Sequence, residues 1–336
     1  MVVIDAHCHL MDTRVPGFDL IAHKWGGKGW GGGVDDLLAQ MDEAGIDHAF
    51  LLTSTVIDVM AHFLPEKRDD ILRCYDHFVN KACYWRDWEL HRDRFTIFAD
   101  SIDPRVPGYV ERAEQDLDRG AKGLKMLPSF TDTTIDDPRW DPIFDLMKDR
   151  DVPGIVDLTY WYLRYPWFAP SLHGRFRNFE EFAETVHRRV EKSPGVRLEI
   201  THFGTPEIFK TPIATARPGD PVDYDSLQGP IDMIRPHPEL ICGLANYHMV
   251  IPADEPFPYP SGLKIVQILK EELGADRLTF GTDWPYLEHR SQAELIRSLR
   301  AAPFLTPDDV DMILGGTAFN MLKGNLSTAD EPVSSS

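Results

Sequence analysis

Short apolar, β-branched runs alternate along the chain with longer segments whose apolar positions recur every three to four residues. That alternation predicts repeated strand–helix units around a parallel sheet. Eight candidate strands stand out, at 2–7 (VVIDAH), 47–53 (DHAFLLT), 95–101 (FTIFADS), 121–127 (AKGLKML), 153–159 (PGIVDLT), 196–202 (VRLEITH), 240–246 (LICGLAN) and 277–282 (RLTFGT). Helices are predicted at 34–45, where the helical pattern stops at Gly45, and at 109–120, 178–193 and 262–274. Eight such units close a (β/α)8 TIM barrel. With no linker or repeat to split it, the chain reads as one α/β domain over 1–326. The polar stretch STADEPVSSS (327–336) is expected to be a disordered tail.

Two strand-to-helix connections are long. The first, 11–33, is rich in glycine and carries Trp25 and Trp30, but lacks the Gly-Lys-Ser/Thr ending of a phosphate loop. It reads as a lid over a pocket or as a surface loop without function. The second, 160–177, packs Tyr160, Trp161, Tyr162, Tyr165, Trp167 and Phe168 into a short span. So many aromatics have to cover something, either a pocket for a flat substrate or a neighbouring subunit. Arg164, Arg175 and Arg177 in the same stretch could hold a substrate carboxylate, although surface arginines are the commoner outcome.

The 336 residues are 43% apolar and 26% charged, ordinary for a globular protein, and the formal net charge of −19 narrows the partners. Nucleic acid and anionic membranes need a basic footprint, so neither is expected, and a small molecule is. Cys8, Cys74, Cys83 and Cys242 have neither metal nor disulfide spacing and read as reduced thiols. With no signal-peptide pattern and no apolar run long enough for a bilayer, a cytoplasmic protein is expected.

The chemistry is read from the strand ends, because a TIM barrel places its working residues at the C-terminal ends of its strands. The first run, VVIDAHCHL, ends in two histidines two positions apart. In a regular strand Asp5, His7 and His9 would share one face, with Asp5 lying deeper and able to orient a ligand. Lys125, Asp157, His202 and Asp283 stand at the ends of strands four, five, six and eight, and His248 follows strand seven. Imidazole and carboxylate donors suit Zn²⁺, and a catalytic site leaves one position open for water. His202 or Asp283 could then steer the proton. Lys125 reads as a substrate-binding group or as a buried ion-pair partner.

Five segments, IDAHCHL (4–10), KGLKM (122–126), THFG (201–204), GTDWP (281–285) and ILGGTAFNML (313–322), together resemble the amidohydrolase-related family. The branch they resemble includes aminocarboxymuconate semialdehyde decarboxylase, resorcylate-type decarboxylases and several lactone hydrolases. The resemblance spans nearly the whole chain. It implies a distorted TIM barrel, metal ligands at His7, His9 and Asp283, a strand-six histidine at His202 that moves a proton or polarises the substrate, and a homodimer or larger homo-oligomer.

One position departs from the family pattern. Strand five usually ends in a ligating histidine, and here Asp157 stands in its place. Asp157 could join the ligand set of a Zn²⁺ or Mn²⁺ ion, or the metal could be weak or absent, as is thought for some lactone hydrolases of the superfamily. The favoured reading is a metal-dependent hydrolase acting on an ester, lactone or amide of a small, planar, carboxylate-bearing molecule. Lys125, Trp161, Arg164, Arg175 and His248 would contact that substrate. A metal-dependent non-oxidative decarboxylase is the alternative, and a non-catalytic binding barrel the third reading.

Overall fold

The computed structural model describes residues 2–10, 33–52, 82–99, 102–164, 169–209, 220–285, 287 and 290–329. The predicted lid (11–33) falls almost wholly outside the described residues, as do Tyr165, Trp167 and Phe168 of the aromatic connection.

Eight strands form one parallel sheet in sequence order: β1 (Ile4–Cys8), β2 (His48–Leu52), β3 (Phe95–Ala99), β4 (Gly123–Met126), β5 (Gly154–Val156), β6 (Leu198–Ile200), β7 (Leu240–Gly243) and β8 (Leu278–Thr279). The seam between β8 and β1 is closed by backbone hydrogen bonds. Ala6 N donates to Phe280 O at 2.9 Å, Asp283 N to His7 O at 2.8 Å, and His9 N to Trp284 O at 2.7 Å. The result is a (β/α)8 barrel in a single domain, as the alternating pattern predicts.

A helix follows each strand: α1 (Val34–Ala44), α2 (Ala82–Leu90), α3 (Tyr109–Arg119), α4 (Asp141–Asp149), α5 (Phe179–Lys192), α6 (Gln228–Ile234), α7 (Pro260–Leu273) and α8 (Gln292–Ala301). Local signals set their ends. Gly45 closes α1 in the left-handed region at φ 69°, the Asn178 side chain accepts from Glu181 N at the start of α5, and Ser291 and Glu294 form a capping box on α8. Two apolar layers result. Strand residues such as Leu51, Ile97, Leu124 and Val156 pack against the helices, while Ile4, Ala6, Phe50, Leu52, Phe98 and Ile155 form a separate cluster with Ala318, Met321 and Leu322.

The segment ILGGTAFNML serves the base of this barrel. Ile313 O accepts from Phe280 N at 2.9 Å, and a Cβ on Gly315 would lie 2.0 Å from Val2 O. Only glycine allows so close an approach to β1. Beyond it the chain stays packed past the boundary drawn at 326. Ser327 is buried, its N–H donates to Thr96 Oγ1 at 3.1 Å, and its hydroxyl accepts from Trp88 Nε1 at 3.2 Å. Residues 330–336 lie outside the described residues.

β1 carries a one-residue bulge. Asp5 pairs with Ala49 but Cys8 with Leu51, so three steps on β1 match two on β2. The bulge breaks the alternation that would put Asp5 beside His7 and His9. Asp5 instead turns to the helix layer, where Gln292 of α8 donates to its Oδ2 at 2.9 Å. Among the described residues, no helix is long and apolar enough to cross a membrane.

Candidate active site

The histidines that end β1 meet the aspartate that follows β8. His9 Nε2 lies 3.1 Å from Asp283 Oδ1, and His7 Nε2 lies 3.4 Å from the same oxygen. The rings of His7 and His9 are 5.1 Å apart, and those of His7 and His202 are 4.8 Å apart. Ligand atoms of His7, His202 and Asp283 all fall within 4.8 Å of one another. All four residues are buried.

Backbone strain aims these groups. Thr159, His202, Asn246 and Asp283, which follow β5, β6, β7 and β8, all adopt the left-handed region, with φ of 49°, 52°, 69° and 59°. Such conformations are costly for most L-residues and persist where surrounding structure imposes them. At β8 the imposing residue is Asp5. It accepts from His7 N, Thr282 N, Thr282 Oγ1 and Gln292 Nε2, while Thr282 Oγ1 accepts from Trp284 N. Thr282 and Trp284 are thus pinned on either side of Asp283. A Cβ on Gly281 would lie 2.8 Å from His7 Cβ, which accounts for the glycine that opens GTDWP.

The charge states follow from these contacts. Burial pushes the Asp283 carboxyl up, but the His9 hydrogen bond, the nearby His202 and His9, and the Asn246 amide outweigh it and hold the group below its ordinary value. Burial, with Lys125, His202 and His9 nearby, drives His7 well below the usual imidazole range, so it is neutral. Burial also opposes the His202 cation, yet Asp157 and Asp283 override it and raise His202. Asp157 is held at about 2: burial raises it, and His202, Lys125 and Thr159 lower it further.

Asp157 meets this cluster through His202. Its Oδ2 lies 3.5 Å from His202 Nε2, and its Oδ1 accepts from Thr159 N and Thr159 Oγ1, each at 3.0 Å. The structure thus places Asp157, expected to join the ligand set, beside His202. Lys125 is buried and acts electrostatically on His7, Asp157, His202 and Glu199. Trp161 is buried in the turn after β5, and His248 in the turn after β7.

The three candidate arginines have other contacts: Arg164 is ion-paired with Glu207, Arg177 with Glu181, and Arg175 is exposed, with its guanidinium over the Phe176 ring. An arginine in a loop carries no sequence sign of a partner 43 positions away.

Two groups escaped the sequence reading. Asn246 Nδ2 donates to Asp283 Oδ2 at 2.7 Å and lies 3.1 Å from His202 Nδ1. Its one legible signal is an asparagine just past a strand, since asparagine tolerates the left-handed region. Glu199 is buried on β6, accepts from Thr279 Oγ1 at 2.9 Å, and is pushed up to about 7 by burial. A charged residue inside an apolar run was its only mark.

The site has a donor set suited to a divalent ion. His9 Nδ1 lies 2.7 Å from Leu52 O and donates to it. The other ring nitrogen, Nε2, faces Asp283 Oδ1 at 3.1 Å, where a hydrogen on the ring or a metal ion between the two would satisfy both. Donors each about 2.1 Å from a tetrahedral ion stand about 3.4 Å apart, close to the two distances seen.

A parallel (β/α)8 barrel with histidines and aspartates gathered at the C-terminal mouth is the architecture of a large class of enzymes. The chain belongs to the amidohydrolase family, whose model matches residues 4–323, and it is therefore an enzyme of the amidohydrolase superfamily. Comparison with curated protein sequences gives no match. Among solved structures, a probable 2-pyrone-4,6-dicarboxylic acid hydrolase from Acinetobacter baumannii, with citric acid bound, is similar at 14% identity. It covers 96% of this chain and 100% of its own, with a TM-score of 0.61. An amidohydrolase from Burkholderia multivorans with bound zinc is 16% identical, covering 96% and 99%, with a TM-score of 0.62. A 2,6-dihydroxybenzoate decarboxylase from Rhizobium is 18% identical, covering 96% and 98%, with a TM-score of 0.55. At these identities the likeness is one of fold.

Proposed function

We propose that this enzyme hydrolyses an ester, lactone or amide of a small molecule. The observation that carries the reading is the divergence of two neighbours in one buried site. Asp283 is held below its ordinary value, while His202, backed by Asp157, is raised above its own. Neighbouring groups whose surroundings push their pKa values apart are the mark of an assigned base and an assigned acid.

Asp283 takes a proton from the attacking water as the water oxygen bonds to the substrate carbonyl carbon. His202 donates a hydrogen bond to the carbonyl oxygen, where negative charge develops. Asp283 then returns its proton to the departing oxygen or nitrogen as that bond breaks, so protons and electrons balance. Asp157 favours the protonated form of His202 and orients its ring.

His7, His9 and Asp283 are the residues that would hold a divalent ion, zinc by the softness of the donors or manganese as the harder alternative. When bound, such an ion supplies positive charge that polarises a carbonyl and acidifies water. The bound zinc of the Burkholderia multivorans amidohydrolase supports zinc as the ion.

The test is product analysis in ¹⁸O-labelled water against a panel of aryl esters, lactones and aromatic carboxylic acids. One ¹⁸O in the acid product, without CO₂, supports hydrolysis. CO₂ release without ¹⁸O uptake overturns it in favour of decarboxylation, the reaction named for the Rhizobium neighbour.

A further inference from the structure

We infer that Asn246 is a positioning residue that fixes which oxygen of Asp283 faces the histidines and which nitrogen of neutral His202 carries the proton. The inference rests on the reading of Asp283 and His202 as the proton-handling pair, and it concerns a residue outside the predicted site.

The orientation of the amide is set by its surroundings. Asn246 stands 2.7 Å from Asp283 Oδ2. Reversing the amide would set its oxygen against a carboxylate oxygen at that distance, so the nitrogen must face Asp283. One amide hydrogen therefore goes to Oδ2. This leaves Oδ1 as the oxygen turned to His7 and His9.

The second amide hydrogen is available to His202 Nδ1, 3.1 Å away. A donor there requires a lone pair on Nδ1, which puts the proton of the neutral ring on Nε2, toward Asp157 Oδ2. The Ala245 carbonyl lies 3.3 Å from the same Nδ1 and would accept from it if that nitrogen were protonated. His202 thus sits between two options. Asn246 favours the one that keeps a hydrogen on Nε2 in both charge states of the ring, so His202 remains a donor when neutral.

The backbone explains why the residue is asparagine. Position 246 has φ 69°, a conformation glycine adopts freely and asparagine tolerates better than most residues. Glycine would satisfy the backbone but would leave Asp283 and His202 unbridged. Asparagine satisfies both requirements. The Oδ1 of Asn246 is buried without a hydrogen-bond partner among the described residues, a cost accepted for the bridge.

The same reasoning supplies the test. Asn246→Gly relaxes the backbone and removes only the bridge, so its fold should persist, with a Tm within a few degrees of wild type. The decisive readout is the tautomer of His202, measured by ¹⁵N-resolved imidazole NMR at pH 9. The sample is the full-length protein grown with zinc, and the signal is assigned by its loss in His202→Gln. The expected result is a proton on Nε2 in wild type and a shift toward Nδ1 in Asn246→Gly. Where activity is found, kcat should fall about 10- to 100-fold with KM little changed, the usual scale for a group acting through another. A wild-type ring protonated on Nδ1, as ligation of a metal through Nε2 would require, overturns the inference. So does an Asn246→Gly protein whose His202 tautomer is unchanged. Because the tautomer is read without substrate, failure of this inference is distinct from failure of the hydrolase reading.

Discussion

Replacing Asp157 with asparagine tests the His202 pair most directly. The variant keeps an oxygen to accept from Thr159 N and Thr159 Oγ1 and removes only the charge that faces His202 Nε2 at 3.5 Å. Asp157 is held at about 2 against an ordinary value of 3.8. At 1.36 kcal/mol per pH unit this corresponds to about 2 kcal/mol. Its side chain is only 13% exposed, so solvent screening takes little of that away.

The sign follows from linkage. A depressed carboxyl pKa stabilises the fold above about 4, and that contribution is lost as pH falls through about 2. At pH 7 it is present in full. An unfolding entropy of about 0.7 kcal/mol/K for a chain of this length converts it to a Tm decrease of about 3 °C. The assay is thermal unfolding of wild type, Asp157→Asn, His202→Gln and the double variant at pH 7. If the ion pair is the cause, Asp157→Asn should cost little once His202 is already gone. Losing Asp157 also lowers the His202 pKa, so the alkaline limb of the kcat profile should move to lower pH. An Asp157→Asn protein with the wild-type Tm and an unmoved alkaline limb would refute the pairing.

Other outcomes follow from the same structure. Plasma mass spectrometry should find zinc or manganese in the purified protein, lost in His7→Ala, His9→Ala and Asp283→Ala but retained in Asp157→Ala; retention in His9→Ala would remove that residue from the ligand set. Glu199→Gln keeps an acceptor for Thr279 and should gain stability relative to wild type as pH rises. The raised carboxyl favours the fold below about 4.5, and that advantage disappears as pH climbs through about 7. The difference in unfolding free energy between pH 4.5 and pH 8 should approach about 3 kcal/mol, and a pH-independent difference would count against a buried, titrating Glu199. Gly315→Ala forces a Cβ to within 2.0 Å of Val2 O and should cost about 3 kcal/mol or more in urea unfolding, while an unchanged midpoint would contradict the close packing at the barrel base.

The chain's own pattern determined the architecture. A parallel strand buried on both faces reads as a short apolar run, and its crossover helix reads as an amphipathic segment. Eight such pairs have few ways to bury themselves other than a closed barrel. The same logic made His7, His9, His202 and Asp283 legible, because each stands at a strand's C-terminal end and so opens on the same mouth. Partner choice was decided only in three dimensions. A one-residue bulge in β1 sends Asp5 to α8 and Thr282, against the alternation that would set it beside His7. Asp157 sits at the strand-five position, but which of two neighbouring groups it faces depends on side-chain direction over a few ångströms. Asn246 earned no notice among the histidines and aspartates, since its role comes from φ 69° and two neighbours from β6 and β8. Periodicity records which face a residue takes. Contacts between residues far apart in sequence depend on register, bulges and left-handed backbone, which no local pattern carries.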